Sequence, residues 1–454
     1  MSGQVSQSRD APNTEDSRVV ITGMGAITPS GNDVDALWGS VVTGRSAIGR
    51  LEGEQFADLA VRIGGQVRDF DAEAILPRSL ARRLSPVQHW AIAAADQALT
   101  QAGIARPDTG AKTDAGAQTD DAAPDSLPWG RSRVAVIAAT GSGPVDAMQN
   151  ATRSLLDGGP RSVPLTLAIH GAPDSAAALL SQRYDFRGPG QGVSATCASG
   201  AIALGEAMRR IRHGYADAVL VVGMEDCLNA VNLASNANMR ALAAGFEDDP
   251  TSASRPFDSA RSGFVMSQGA GAILLESEAG AAARGATALA ELAGFGAASD
   301  AHHPTNPHPD GRGAASAMGE ALADAGLDPE DIGHINAHAT GTPAGDAAEL
   351  KAFDAALGTT AHSIPISATK SSTGHLLGAS GVIEAMIAVR TMMEQTLPPT
   401  LNLETCEFEG WDIVAGQARN IGRGGFDDAP IDTVLSTSFG FGGHNGAVIL
   451  RRPR

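Results

Sequence analysis

Apolar positions along this chain follow two periods in turn. Arg18 to Gly25 is a short apolar run and predicts a strand. A helical segment is expected over Ala36 to Val42. From Ser85 to Gly103, the residues Val87, Trp90, Ala91, Ala94 and Leu99 lie at helical spacing and predict a longer helix. Buried strands are expected at Arg133–Thr140 and Ala216–Gly223, and Gly263–Glu276 and Ala288–Ser299 are expected to pair as a hairpin. The pattern then restarts. Helix Gly313–Ala325 precedes strand His334–Ala337, and helix Ala347–Ala356 precedes strand Ile364–Ser367. Helix Gly381–Glu394 follows, and strands Thr433–Ser436 and Gly446–Leu450 close the chain. Strands alternating with helices predict an α/β fold with buried, largely parallel sheets.

A short repeat supports the restart. Ser199-Gly200-Ala201-Ile202 matches Ser380-Gly381-Val382-Ile383, and each opens a helix of small apolar residues. Two similar halves packed face to face are expected, over 18–284 and 285–454. Residues 1–17 are polar and read as a disordered leader. Residues 107–128 are rich in Asp, Thr and Ala with almost nothing to bury, and read as a flexible acidic insertion.

Composition narrows the function classes. The chain has 454 residues, too many for one simple core. Aromatic residues make up 4%, so the interior must be built from Ala, Val, Leu and Ile at close approach. The net charge of −18 argues against nucleic acid or an anionic membrane as the main partner. Three cysteines form no disulfide framework and point to a reducing compartment. No run is apolar enough to span a bilayer and the N-terminus has no signal-peptide core, so a cytoplasmic protein is expected.

One of those cysteines carries the strongest chemical signal. Gly188-Pro189-Gly190 turns into a short strand, then Ala195-Thr196-Cys197-Ala198-Ser199-Gly200 leads directly into a helical pattern. A thiol at a helix N-terminus sits at the positive end of the dipole, which favours the nucleophilic thiolate. A lone cysteine is otherwise a small buried hydrophobe. Two distant motifs each place a histidine just after a strand. They are Asn336-Ala337-His338-Ala339-Thr340-Gly341-Thr342-Pro343 and Ser367-Ala368-Thr369-Lys370-Ser371-Ser372-Thr373-Gly374-His375. Residues beyond strand C-termini gather at one rim of an α/β sheet, so Cys197, His338 and His375 can meet there. No CxxC or HxxxH spacing supports zinc. Gly141-Ser142-Gly143 and Gly440-Phe441-Gly442-Gly443 fit neither GxxxxGK[ST] nor GxGxxG, which excludes the familiar nucleotide loops.

With these motifs in order, the chain resembles the β-ketoacyl-[acyl-carrier-protein] synthases of the thiolase superfamily. The resemblance runs from Arg18 to Arg452. It rests also on Ser254-Arg255-Pro256-Phe257-Asp258 and Ser438-Phe439-Gly440-Phe441-Gly442-Gly443-His444-Asn445. It implies a thiolase-like five-layered αβαβα fold of two pseudo-symmetric halves, and a homodimer, with a heterodimer left open. It implies that Cys197 takes an acyl group from an acyl carrier protein, with the N–H groups of Cys197 and Phe441 as oxyanion hole. His338 and His375 would polarise a malonyl thioester as carbon dioxide leaves, giving a chain two carbons longer. Lys370 and Glu384 would orient the histidines. Thr340 and Thr342 would hold the phosphopantetheine arm, with Phe439 and Phe441 beside it. No metal and no cofactor beyond the partner's phosphopantetheine is implied.

Departures from the family pattern fall around the acyl chain. Pro144 stands where a bulky apolar pocket residue is common, and Asn236, four residues before Arg240, where a phenylalanine is common. Ser262 replaces a usual Asp, and Ser267-Gln268 occupies a usually acidic place. These changes point to a specialised acyl or polyketide pathway, and the ketosynthase subunit of a type II polyketide synthase is the alternative. A thiolase is disfavoured because Cys406 lies outside any glycine motif. An inactive chain-length-factor partner is disfavoured because the nucleophile is present. Basic clusters at Arg78, Arg82 and Arg83, or at Arg209, Arg210 and Arg212, could dock an acidic carrier protein.

Overall fold

A computed structural model describes residues 18–106, 127–422 and 429–454. The expected leader and nearly all of the expected insertion lie outside the described residues.

Ten strands build the main sheet: β1 (Val19–Ile27), β2 (Val134–Ala139), β3 (Gly190–Val193), β4 (Ala218–Glu225), β5 (Gly269–Ser277), β6 (Ala290–Ser299), β7 (His334–Asn336), β8 (Ile366–Ser367), β9 (Thr433–Gly440) and β10 (His444–Arg451). Their spatial order is β3-β2-β4-β5-β1-β6-β10-β9-β7-β8. Numbered within its own half, each set of five therefore runs 3-2-4-5-1 outward to seam. The halves join where Val20 and Ile21 of β1 pair with Glu291 and Ala290 of β6. Strands β1, β2, β4 and β7 are buried along their whole length, which suits Val, Ile and Ala runs covered on both faces.

Six helices make the other layers: α1 (Pro86–Gln101), α2 (Ser175–Tyr184), α3 (Ser199–Arg212), α4 (Arg312–Ala325), α5 (Pro343–Leu357) and α6 (Ser380–Glu394). Helices α1 and α2 cover the outer face of the first half-sheet, and α4 packs on the outer face of the second with α5 beside it. Helices α3 and α6 pack on each other and on strands of both halves, so they form the central layer of an αβαβα stack. Their first turns touch at glycines. A Cβ on Gly200 would lie 2.8 Å from the Val382 nitrogen, and one on Gly381 would lie 2.5 Å from the Ala201 nitrogen. The Ser-Gly repeat thus marks the point where the two central helices cross.

Two expectations need correction. The sheet is mixed: four neighbouring pairs are parallel (β3/β2, β2/β4, β9/β7, β7/β8) and five antiparallel. One reason is local, since Phe441-Gly442-Gly443 joins β9 to β10 by a tight turn that forces them antiparallel. The expected hairpin of Gly263–Glu276 with Ala288–Ser299 does not form. Strand β1 lies between β5 and β6, and a short helix, Glu278–Ala283, separates them along the chain. A fully buried nine-residue strand needs partners on both edges, and β1 takes both. Residues ahead of Gly269 leave the sheet and serve the site instead.

Candidate active site

The cysteine sits on a strained turn. After β3 the chain passes through Thr196, whose φ is +50°, into Cys197 and then α3. A branched residue in the left-handed region is held there only by its surroundings. Ser199 Oγ accepts the Ala195 N–H at 2.8 Å, and Thr196 Oγ1 donates to the Phe441 carbonyl at 2.8 Å. The second bond ties the cysteine turn to the β9–β10 loop.

The histidines arrive from the second half. His338 follows β7, and its N–H donates to Glu349 Oε1 at 2.8 Å and Thr437 Oγ1 at 3.0 Å. Glu349 Oε2 accepts the Ala339 N–H at 2.7 Å, so one carboxylate from α5 fixes the whole turn. His375 is held by the segment mistaken for a hairpin strand. Its N–H donates to Val265 O at 2.8 Å, and its carbonyl accepts from Ser267 N at 2.9 Å. Ser380 Oγ, at the start of α6, lies 3.0 Å from His375 Nδ1.

Cys197, His338 and His375 are brought together. One reactive atom from each lies within 4.8 Å of the other two. The imidazole rings stand edge to face, 5.3 Å between centroids, and Phe439 packs on His338 while Phe264 packs on His375. All three reactive residues open on one cavity of about 320 Å³, with Thr340, Thr342, Phe439 and Phe441 also on its wall. The two threonine hydroxyls lie 3.2 Å apart.

Lys370 and Glu384 are behind the wall rather than on it. They form a buried ion pair, with Lys370 2% exposed. Burial lowers both histidines well below the usual imidazole range, and the Lys370 charge pushes them the same way. Both rings are therefore neutral at physiological pH. Burial raises Glu384 to about 7, with Lys370 opposing.

The thiol departs from expectation. Burial pushes Cys197 up to about 12, against the opposing pull of Lys370 and of the Phe441 and Cys197 N–H groups. The helix N-terminus does not by itself yield a resting thiolate, because a site 7% exposed removes more hydration than the dipole returns. The same two N–H groups favour negative charge on the sulfur, and an oxyanion formed on an acyl group held there would need such donors.

Two expected pocket residues are elsewhere. Pro144 is buried at the start of helix Val145–Gly158 and is absent from the cavity wall. Asn236 is also off the wall, and its amide donates to Asn232 O on its own helix at 2.9 Å. Gln268 explains its own departure. With its amide nitrogen towards Asp226 it donates to Oδ1 at 3.1 Å, and its oxygen accepts from Val67 N at 3.2 Å. An acid there would face a buried carboxyl already raised to about 7. Of the basic clusters, Arg209 pairs with Glu206, Arg210 with Gln191 and Arg212 with Asp324, and Arg78 pairs with Glu73. Arg82 and Arg83 are exposed and make no ion pair among the described residues.

Several residues at the site were given no role by the sequence. Arg240, exposed with φ +55°, lines the cavity mouth. Glu225 is fully buried and accepts from the N–H groups of Gly141 at 2.6 Å, Ser142 at 3.2 Å and Gly378 at 2.9 Å. Glu349 and Ser380 hold the histidine turns from the helices that follow them, 11 and 5 residues on. Ser380 alone had a trace, in the Ser-Gly repeat.

Residues 16–281 match the model of the β-ketoacyl synthase N-terminal domain, and residues 289–404 that of the C-terminal domain. The chain is 39% identical over 442 residues to the 3-oxoacyl-[acyl-carrier-protein] synthase 2 of Synechocystis, covering 97% of this chain and 99% of the relative. It is 37% identical to the enzyme of that name from Vibrio cholerae, over 96% and 99% of the two chains. Among solved structures, a β-ketoacyl synthase from Burkholderia phymatum superposes with a TM-score of 0.83 at 33% identity, covering 97% and 100%. A type II polyketide ketosynthase in complex with its acyl-carrier protein gives 0.83 at 28%, covering 96% and 100%.

Proposed function

Because the chain belongs to the β-ketoacyl synthase family, we propose that its cavity carries out decarboxylative condensation of an acyl thioester with malonyl-carrier protein. The chain is an acyltransferase. The observation that carries the assignment of residues is the convergence of one thiol and two neutral imidazoles at the inner end of one cavity.

Cys197 attacks the acyl thioester and the carrier thiol leaves with the proton. The Cys197 and Phe441 N–H groups stabilise the oxyanion on the way. Malonyl-carrier protein then enters, with its arm against Thr340 and Thr342. Neutral imidazoles donate N–H bonds to its thioester oxygen, so the enolate formed as carbon dioxide leaves is stabilised without a full positive charge nearby. The enolate carbon attacks acyl-Cys197, and Cys197 departs and takes a proton. Burial keeps the histidines unprotonated, and the positive charge of Lys370 adds to the effect. Decarboxylation supplies the driving force, so the scheme uses no resident cofactor.

The partner is an acyl carrier protein. Arg240 on the cavity lining, with Arg82 and Arg83, which make no ion pair among the described residues, supply the basic contacts an acidic carrier needs on a chain of net charge −18. A homodimer is supported by one face. Among the described residues strand β3 is an uncapped edge of the main sheet, and Met148, Leu155, Leu156, Leu165 and Ile169 of the same half are exposed, Leu165 fully. Among the described residues no helix is long and apolar enough to cross a membrane.

Intact-mass analysis after incubation with a panel of acyl-carrier proteins tests the reading. Addition of one acyl group to the wild type, and none to Cys197→Ala, is expected. Acylation that persists in Cys197→Ala would remove Cys197 from the scheme. A preference for ordinary C8 to C16 chains would count against a specialised pathway.

A further inference from the structure

Sequence spacing offers no metal motif, yet folding assembles a soft donor set. We propose that the resting centre binds a thiophilic divalent cation of the Zn²⁺ type through Cys197 Sγ, His375 Nε2 and a ring nitrogen of His338, and that occupancy blocks acylation.

The donor atoms lie within 4.8 Å of one another, and all three residues are buried. Tetrahedral zinc, with Zn–S of about 2.3 Å and Zn–N of about 2.0 Å, draws its ligand atoms to roughly 3.3–3.6 Å apart. Side-chain shifts on the order of 1 Å close that gap, which suits a site with cavity on one side.

His375 Nε2 and His338 Nδ1 are buried without a hydrogen-bond partner. The orphaned Nε2 of His375 is an uncompensated polar atom, and a cation satisfies it. The His375 tautomer fits as well. When Ser380 Oγ accepts from Nδ1–H across their 3.0 Å contact, Nε2 carries the lone pair that a metal takes; with the proton on Nε2, Ser380 donates instead and the ring is the N–H donor of the condensation scheme.

The step balances simply. The Cys197 thiol gives its proton to solvent as the sulfur–metal bond forms, the imidazoles donate lone pairs, and nothing is oxidised. The thiolate cancels one of the cation's two charges, while Lys370 is already paired with Glu384. A water or chloride from the cavity completes the tetrahedron. An occupied centre has no free sulfur lone pair to attack a thioester, and an acyl-Cys197 has no thiolate to give a metal. Metal and acyl donor therefore exclude each other. The inference needs only the thiol and the imidazoles and stands whether or not the condensation reading holds.

Cobalt titration of the full chain tests it, with Cys406→Ser as background so that the exposed second thiol neither ligates nor alkylates. One equivalent of Co²⁺ should bind with a thiolate-to-cobalt charge-transfer band and the intense visible bands of tetrahedral cobalt, and Zn²⁺ should displace it. Alkylating Cys197 after folding should abolish the band, and Ser380→Ala should weaken binding roughly 10- to 100-fold. His302, His303 and His308 form a competing surface group, with His302 and His308 rings 4.9 Å apart, so replacing all three with Ala should leave the band intact. No charge-transfer band in the unalkylated chain, or a band that survives alkylation or disappears with the surface histidines, would overturn the proposal.

Discussion

The two halves share a strand order but differ at one turn and one edge. Each central helix begins on Ser-Gly, and three residues before each serine the backbone is in the left-handed region, at Thr196 (φ +50°) and at Leu377 (φ +44°). The residue after the strained position is Cys197 in the first half and Gly378 in the second. The N–H of Gly378 is taken by Glu225, and a Cβ there would lie 2.2 Å from the Gly141 nitrogen. One turn presents a thiol to a cavity, and its counterpart is packed shut against the first half. The edges differ likewise. Strand β8 is capped by its own chain, with Ile366 N on Asp412 O at 2.8 Å and Val414 N on Ile366 O at 2.9 Å, while β3 is open. Duplication supplied two equivalent scaffolds. The first half presents the thiol and an uncapped edge strand, and the second carries the two histidines.

The largest expected effect separates those contributions. His375→Ala or His338→Ala should cut condensation about 10²- to 10⁴-fold while acyl loading of Cys197 stays within about tenfold. Single-turnover mass spectrometry reads both steps, and equal losses in both would mean that the halves do not divide the reaction. Next, Gly378→Ala should cost about 3 kcal/mol of stability through forced backbone contact, read as a lowered urea midpoint. An unchanged midpoint would mean the second turn is not packed shut.

The double variant Leu156→Asp/Leu165→Asp should turn a dimer into a monomer in sedimentation, by a loss of roughly 3 kcal/mol of association. A dimer that persists would place the interface elsewhere. The smallest effect is on the thiol. With Cys197 raised to about 12, iodoacetamide alkylation should climb roughly tenfold per pH unit from neutrality to beyond pH 9 without levelling. A plateau near pH 7 would indicate a resting thiolate after all.

Much of this was legible along the chain because local rules govern it. Cys197, His338 and His375 each follow a strand, and residues past strand ends share a rim. Most helices and strands lie within a few residues of where periodicity puts them. Period-2 alternation gives a strand but not its neighbour, so β5 and β6 read as a hairpin although β1 separates them. Of the residues fixing the histidines, Ser380 and Glu349 lie only 5 and 11 residues away but past a turn that spacing does not resolve, and Val265 bonds from a distant segment. Resemblance put Pro144 and Asn236 at the acyl pocket, and neither lies on the wall of the cavity that holds Cys197. The thiol shows a conflict of magnitudes, in which a helix dipole argued from sequence loses to burial visible only in the fold.

The central claim is that Cys197 holds one acyl group while the two histidines decarboxylate its partner. Acyl-loaded enzyme, freed of donor, mixed with malonyl-carrier protein tests this most directly by mass spectrometry of both proteins. A 3-oxoacyl-carrier protein two carbons longer should form as the acyl adduct leaves Cys197, with one carbon dioxide released per chain. An acyl adduct that remains on Cys197, or a product that retains the malonyl carboxylate, would contradict the account.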